Sequence, residues 1–175
     1  MNITLPDNLK GQKMKNILLI GLAMLGIVYA GTKPEPLTDE EANKMTVRWA
    51  VNALNRGDWE SMKSLYSPRF VQHSPASQEP TGWEDYELGC RIAHRKLPDF
   101  RYRIEDIIAE GDKVVVRMTG SFRHKSLVCN RNPDGVFEMT EIDIIRIAHG
   151  RIVEEWGEFD TAQALKLVRM MKYGL

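Results

Sequence analysis

Cysteine is scarce: the chain holds two in 175 residues, too few for the disulfide framework that staples small secreted domains. A charge surplus is missing altogether. Lys plus Arg and Asp plus Glu stand at 24 each, which argues against a nucleic-acid binder, because binding phosphates calls for a basic excess. There is no phosphate-cradling glycine loop, nucleophile elbow or nucleotide signature. No His, Cys or carboxylate spacing suits a metal site, so neither metal nor cofactor is expected. Internal repeats and low-complexity tracts are absent too. The longest uncharged apolar run, Ile17 to Ala30, has 14 residues. As a helix it spans ~21 Å, short of a ~30 Å hydrocarbon core. What is present is a folded composition, 43% hydrophobic and 27% charged, in a length that suits one domain of roughly 100–200 residues.

The apolar run follows Lys10, Lys13 and Lys15 and ends in Val28-Tyr29-Ala30, with small residues where a signal peptidase reads. Residues 1–30 therefore read as a secretory signal, with Met14 an alternative start and an uncleaved membrane anchor over 17–30 the competing reading. The expected location is secreted or periplasmic, and membrane contact would come only through an uncleaved N-terminal segment. The leader holds three Lys and one Asp, so its removal leaves a mildly acidic chain of net charge −2. Residues 31–37 read as an exposed lead-in and 38–172 as the domain. Cys90 and Cys129 would then meet an oxidising space, as a disulfide or as two buried thiols.

Thr38-Asp39-Glu40-Glu41 is a capping box, and Ala42, Met45, Trp49, Ala50, Ala53 and Leu54 follow at helical spacing up to Gly57. Asp58 caps a short helix that Pro68 is expected to end, and Arg69–Ser74 suits a strand. Trp83–Lys96 reads as a third helix, with Trp49, Trp59 and Trp83 as core or pocket wall. The period then changes. Arg101–Glu110, Lys113–Arg123, Val136–Ala148 and Arg151–Asp160 read as antiparallel strands joined by turns at Gly111-Asp112 and His149-Gly150. Thr161–Met171 closes the chain as a helix. The class is α+β, with helices covering one face of a curved antiparallel sheet.

Phe70-Val71-Gln72-His73-Ser74-Pro75, Pro98-Asp99-Phe100, Ile107 to Arg117, Ile142-Asp143-Ile144-Ile145-Arg146, Gly150 to Trp156 and Phe159-Asp160 stand here in an order and spacing that form a fold signal together. From about Thr38 to Val168 the chain resembles the SnoaL-like branch of the nuclear-transport-factor-2-like superfamily. The resemblance implies a cone-shaped, barrel-like fold with a pocket between sheet and helices. It implies acid/base chemistry without a metal, of the polyketide cyclase, ester cyclase, epoxide hydrolase or ketosteroid isomerase kind, or else a non-catalytic binder. It also implies a homodimer through the sheet.

Counting outward from a two-residue turn at His149-Gly150 pairs Ile145 with Glu154, Asp143 with Trp156 and Glu141 with Glu158 on one face. On the other it pairs Arg146 with Val153, Ile144 with Glu155, Ile142 with Gly157 and Thr140 with Phe159. The resemblance places the family's catalytic aspartate at Gly157, which has no carboxylate and can move no proton. It thereby marks Thr140, Ile142, Ile144, Val153, Glu155, Gly157 and Phe159 as the pocket face and the acidic face with Glu141 and Asp143 as outer. A glycine here also leaves room for a ligand near the backbone. On the same resemblance Arg117, Thr119, Ser121 and His73 point into the pocket.

His73 is then a candidate proton carrier, or a core histidine bonded to backbone. Glu155 is a candidate acid/base with a raised pKa, or a partner of Arg146. Arg117 binds an anionic group or pairs with Glu155. Three functions fit: an acid/base lyase, isomerase or hydrolase on a small apolar or aromatic ligand, a binding module, or a structural dimer.

Overall fold

Thr38 and Gly57 bound the first helix, α1 (Asp39–Arg56), by local chemistry. The Thr38 hydroxyl accepts from the Glu41 amide at 3.2 Å, and Gly57 closes the last turn at φ 64°, a left-handed conformation that suits glycine. The computed structural model describes residues 36–124, 127–128, 132–165 and 169. The leader, Cys129 and most of the expected terminal helix lie outside the described residues; 161–165 are helical. Leu37–Leu175 form one compact unit. Among the described residues no helix is long and apolar enough to cross a membrane.

Asp58 caps α2 (Trp59–Leu65), its carboxylate accepting from the Ser61 amide at 3.1 Å. The chain then turns directly into strand β1 (Tyr66–His73), so the helix stops before Pro68 and the strand starts earlier than Arg69. A two-residue strand, β2 (Thr81–Gly82), precedes α3 (Trp83–Lys96). Four long strands follow: β3 (Arg101–Glu110), β4 (Lys113–Arg123), β5 (Val136–Ala148) and β6 (Arg151–Phe159). The His149-Gly150 turn carries positive φ at both positions, 52° and 72°, the twist that a two-residue hairpin needs.

The six strands form one curved, unclosed sheet in the order β2-β1-β6-β5-β4-β3. All neighbours are antiparallel except β1 and β6, which run parallel, so the sheet is mixed rather than wholly antiparallel. One face packs against the helices. Val47, Ala50 and Ala53 of α1 meet Val114 and Val116 of β4, Ile147 of β5 and Ile152 of β6 in the core. At about 1.5–3 kcal/mol for each large apolar side chain buried, this contact is what keeps α1 on the sheet. Trp83 is buried in the same core. Trp49 is not: it is 53% exposed, because the buried stripe of α1 runs through Thr46, Val47, Ala50, Ala53 and Leu54.

Three irregularities decide which side chains face the helices. Between Tyr66 and Val71 the β1–β6 register jumps. Glu105 is an extra residue in β3 between the pairs Ile104–Met118 and Asp106–Arg117. Val153 is an extra residue in β6, between the pairs Ile147–Ile152 and Arg146–Glu154. Each such bulge turns the following side chains over relative to the partner strand.

Candidate active site

A cavity of about 290 Å³ lies between the sheet and helices α1 and α3. Its wall is mostly apolar, with Val47, Ala50 and Leu54 from α1, Met118 from β4 and Ile145 from β5. The rings of Tyr66, Tyr86, Phe100 and Tyr102 add an aromatic side. Tyr66 and Tyr86 stand 5.5 Å apart by ring centroid, and Phe100 meets Tyr102 edge-on at 5.4 Å.

Three carboxyls enter this wall from the sheet, with Asp85 of α3 at an exposed position. The bulge at Val153 lets Ile152, Glu155 and Gly157 all face inward. Glu155 is 4% exposed and takes a hydrogen bond from Gln72 Nε2 at 2.8 Å. Burial pushes its carboxyl up to about 7, with Glu141 adding to the rise and the Gln72 bond opposing it. From β5 come Glu141 and Asp143. Burial raises Glu141 too, while hydrogen bonds from the Tyr102 hydroxyl and from Asp143 favour its charged form. Asp143 is lifted well above the usual carboxylate range, first by burial and then by the charges of Glu141 and Glu155. One of its carboxyl oxygens is hydrogen-bonded to Glu141. Its other oxygen, Oδ1, has no hydrogen-bond partner among the described residues. Burial, with Glu155 adding, also raises the Cys90 thiol, to about 12; this cavity-lining cysteine is free.

Two glycines make room for these groups. Gly157 pairs with Asp143, and a Cβ on it would sit 2.9 Å from Asp143 Oδ1. Gly120 pairs with Tyr102, and its Cβ would sit 2.9 Å from Tyr102 Cε1. The space at Gly157 is thus filled by the aspartate opposite, rather than left open for a ligand.

Of the expected pocket residues, Glu155 and Gly157 face inward. The β5 half of the expectation is inverted. Glu141 pairs with Phe159, Asp143 with Gly157 and Ile145 with Glu155, one step away from the register counted from the turn, because the Val153 bulge shifts it. Thr140, Ile142 and Ile144 consequently lie on the outer face, Ile142 and Ile144 exposed at 47% and 40%. Val153 is outward and borders a shallow groove with Arg146 and Glu154. Phe159 is half-buried at the strand end and outside the cavity wall.

Arg117, Thr119 and Ser121 are on the outer face as well, since Val114, Val116, Met118 and Phe122 hold the inner face of β4. Thr119 donates to Glu105 Oε1 at 2.7 Å, and Arg117 is exposed. His73 also points away from the cavity. Its Nε2 lies 3.0 Å from Glu154 Oε1, and its ring stacks on Trp156 at 5.4 Å. Arg146 pairs with Glu154 at 2.8 Å, not with Glu155. The inward polar group of β1 is Gln72, one residue before His73. Among the described residues, no group of three His, Cys, Asp or Glu side chains is placed to hold a metal ion.

Comparison with known proteins joins this geometry to a family. The family model of the SnoaL-like polyketide cyclases matches residues 44–167. Among solved structures the chain is similar to IdmH of Streptomyces antibioticus, whose assignment as a polyketide cyclase is itself provisional. The two are 29% identical, with 72% of this chain and 97% of that one covered and a TM-score of 0.61. An LEH-like epoxide hydrolase of M. tuberculosis shares the fold at 17% identity, covering 77% of this chain and 98% of that one, with a TM-score of 0.60. A provisionally assigned ketosteroid isomerase of Kribbella flavida shares it at 17% identity, 71% and 82% coverage and a TM-score of 0.55. No curated protein matches the chain.

Proposed function

The chain belongs to the SnoaL-like polyketide cyclase family, and on that premise we propose that it is a cofactor-free acid/base enzyme. It acts as a cyclase, isomerase, lyase or hydrolase on a small molecule held in the cavity, with Glu155 as the proton-transfer residue. The observation that carries the proposal is the Glu155 carboxyl, buried in an apolar wall, held by Gln72 and raised to about 7. A carboxyl with that value is ionised and protonated in comparable amounts near neutral pH, which suits both halves of a proton shuttle. Gln72 orients it, while Tyr102, Glu141 and Asp143 form a second hydrogen-bonded group on the same wall.

Gly157 favours a second reading, a binding module without turnover, because the position where the resemblance places the cyclase aspartate carries no carboxylate. Turnover separates the two. The purified protein is assayed against a panel of lactones, epoxides and ketosteroids. Glu155→Gln is expected to lower kcat by about 100-fold or more, Gln72→Ala to lower it less, and His73→Ala to stay within about twofold, as a group outside the site would. Full activity in Glu155→Gln would sink the enzyme assignment to this carboxyl, and no turnover on any substrate favours the binder.

Two further expectations belong to this proposal. The leader over residues 1–30 exports the domain, which N-terminal sequencing of the mature protein tests. Two copies pair through the outer sheet face, where Ile108, Val115, Ile144 and Trp156 are successive cross-strand neighbours and Ile108, Ile142 and Ile144 are exposed.

A further inference from the structure

The cavity wall is one-sided in charge. Among the described residues it contains Glu141, Asp143 and Glu155, with Asp85 at an exposed position, and no Lys, Arg or His. Among the described residues, the groups facing the three carboxyls are neutral or acidic: Gln72 and Tyr66 from β1, Thr81 from β2, Tyr102 from β3, Asp85, Tyr86 and Cys90 from α3, and apolar side chains from α1 and β4. A buried carboxylate without a cation is costly, and proteins pair such groups or keep them protonated. Here the pairing is incomplete. Glu155 has Gln72, and Glu141 has Tyr102 and Asp143. Asp143, 4% exposed and on the cavity wall, leaves Oδ1 without a donor among the described residues. Beside this cluster are the faces and edges of Tyr66, Tyr86, Phe100 and Tyr102, which attract cations through the ring quadrupole.

We infer that the cavity takes an organic cation: an amine, protonated at neutral pH, on an apolar or aromatic body. Its ammonium group sits against the Asp143–Glu141 pair, and the tyrosine side of the wall holds its body. An ammonium brings three donors and no acceptor, the complement of a wall whose unmet group is an acceptor. A ligand carboxylate or phosphate would meet like charge instead. Glu155, held separately by Gln72, remains free to move a proton on the bound molecule. The inference rests on the reading of this cavity as the working site.

The test uses three probes that share one tail: 4-phenylbutylammonium, 4-phenylbutanol and 4-phenylbutanoate, titrated calorimetrically into the full-length protein. The ammonium is expected to bind at least about tenfold tighter than the alcohol, and the carboxylate not at all. Ammonium binding should strengthen from pH 6 to pH 8 and release protons, read as different heats in phosphate and Tris, because the bound cation ionises the raised carboxyls. Asp143→Asn combined with Glu141→Gln should bring the ammonium down to the alcohol's affinity and change the alcohol's own affinity far less, with far-ultraviolet circular dichroism showing the variant folded. Equal or tighter binding of the alcohol, tightest binding of the carboxylate, an ammonium preference that survives in the double variant, or no binding of any probe would each overturn the cation inference. Turnover lost in Glu155→Gln on a neutral substrate would uphold the site itself, so the two readings fail separately.

Discussion

Asp143 and Gly157 face each other across β5 and β6, and Asp143 Oδ1 occupies the space that a side chain at 157 would need, at 2.9 Å from the would-be Cβ. The glycine and the buried carboxyl are therefore one feature. A Cβ at 157 forces a short, buried side chain off its place, which in packed interiors costs about 1–3 kcal/mol. Gly157→Ala is expected to lower stability by about that much in urea unfolding. The same substitution in an Asp143→Ala background should cost clearly less, because the colliding oxygen is gone. Additive effects in this double-mutant cycle would show that the two positions are independent.

Glu155 makes stability depend on pH, with a sign opposite to that of a salt-bridged carboxylate. Its carboxyl titrates near 4.5 in the unfolded chain and near 7 in the native protein. Between those values the native state holds a proton that the unfolded state has lost. Stability from this group is therefore full below about pH 4.5, falls as pH rises and levels off above about pH 7, a loss of about 3 kcal/mol. Asp143, raised by burial and by Glu141, acts in the same direction. Glu155→Gln keeps the Gln72 bond and cannot ionise. Urea midpoints should fall between pH 5 and pH 8 in the wild type and fall distinctly less in Glu155→Gln. Identical pH slopes would show that Glu155 ionises at its ordinary value.

The helix starts and the hairpin turn were legible in the sequence because they are fixed by contacts within a few residues: Thr38 on the Glu41 amide, Asp58 on Ser61, positive φ at His149 and Gly150. The inward face of β5 was not legible. It depends on Val153, one extra residue whose apolar side chain looks like any strand position, and on β5 both faces carry isoleucine. Ile142 and Ile144 look more like core than Glu141 and Asp143 do, yet the carboxyls are inside, where the Tyr102 hydroxyl and the hydrogen bond between Glu141 and Asp143 accommodate them. In β4 the plain alternation of Val114, Val116 and Met118 against Arg117, Thr119 and Ser121 was the better guide. The family resemblance turned Arg117, Thr119 and Ser121 inward against that pattern.

The outer sheet face gives a direct test of self-association. Ile144 is 40% exposed and sits between Val115 and Trp156 in the apolar row that crosses the sheet. A lysine there projects into solvent in a monomer but into the partner in a face-to-face dimer, where an unpaired charge is costly. Ile144→Lys is expected to convert a dimer to a monomer in sedimentation velocity while leaving the thermal transition cooperative. An unchanged sedimentation coefficient for dimeric protein would place the contact elsewhere.

Asn55 ties the helical layer to the edge strand that carries Tyr102. β3 is the last strand of the sheet, so the Tyr102 backbone would present unmatched groups on its outer side. The Asn55 side chain takes the place of a neighbouring strand: its Oδ1 accepts from the Tyr102 amide at 2.7 Å, and its Nδ2 donates to the Tyr102 carbonyl at 2.7 Å. This pair of hydrogen bonds to one residue is expected to set where the Tyr102 ring stands over Gly120 and hence where its hydroxyl meets Glu141. Asn55→Ala removes both bonds and should cost about 2 kcal/mol in unfolding free energy, at roughly 1 kcal/mol each. Asn55→Asp keeps the acceptor for the Tyr102 amide but loses the donor to its carbonyl, so it should fall between wild type and Ala. If the bonds act only on stability, ligand affinity and turnover stay unchanged in the folded Asn55→Ala protein. If they also place Tyr102 against Glu141, the pH at which turnover is half-maximal moves in Asn55→Ala, and Tyr102→Phe produces a shift of the same sign without the loss of stability seen in Asn55→Ala.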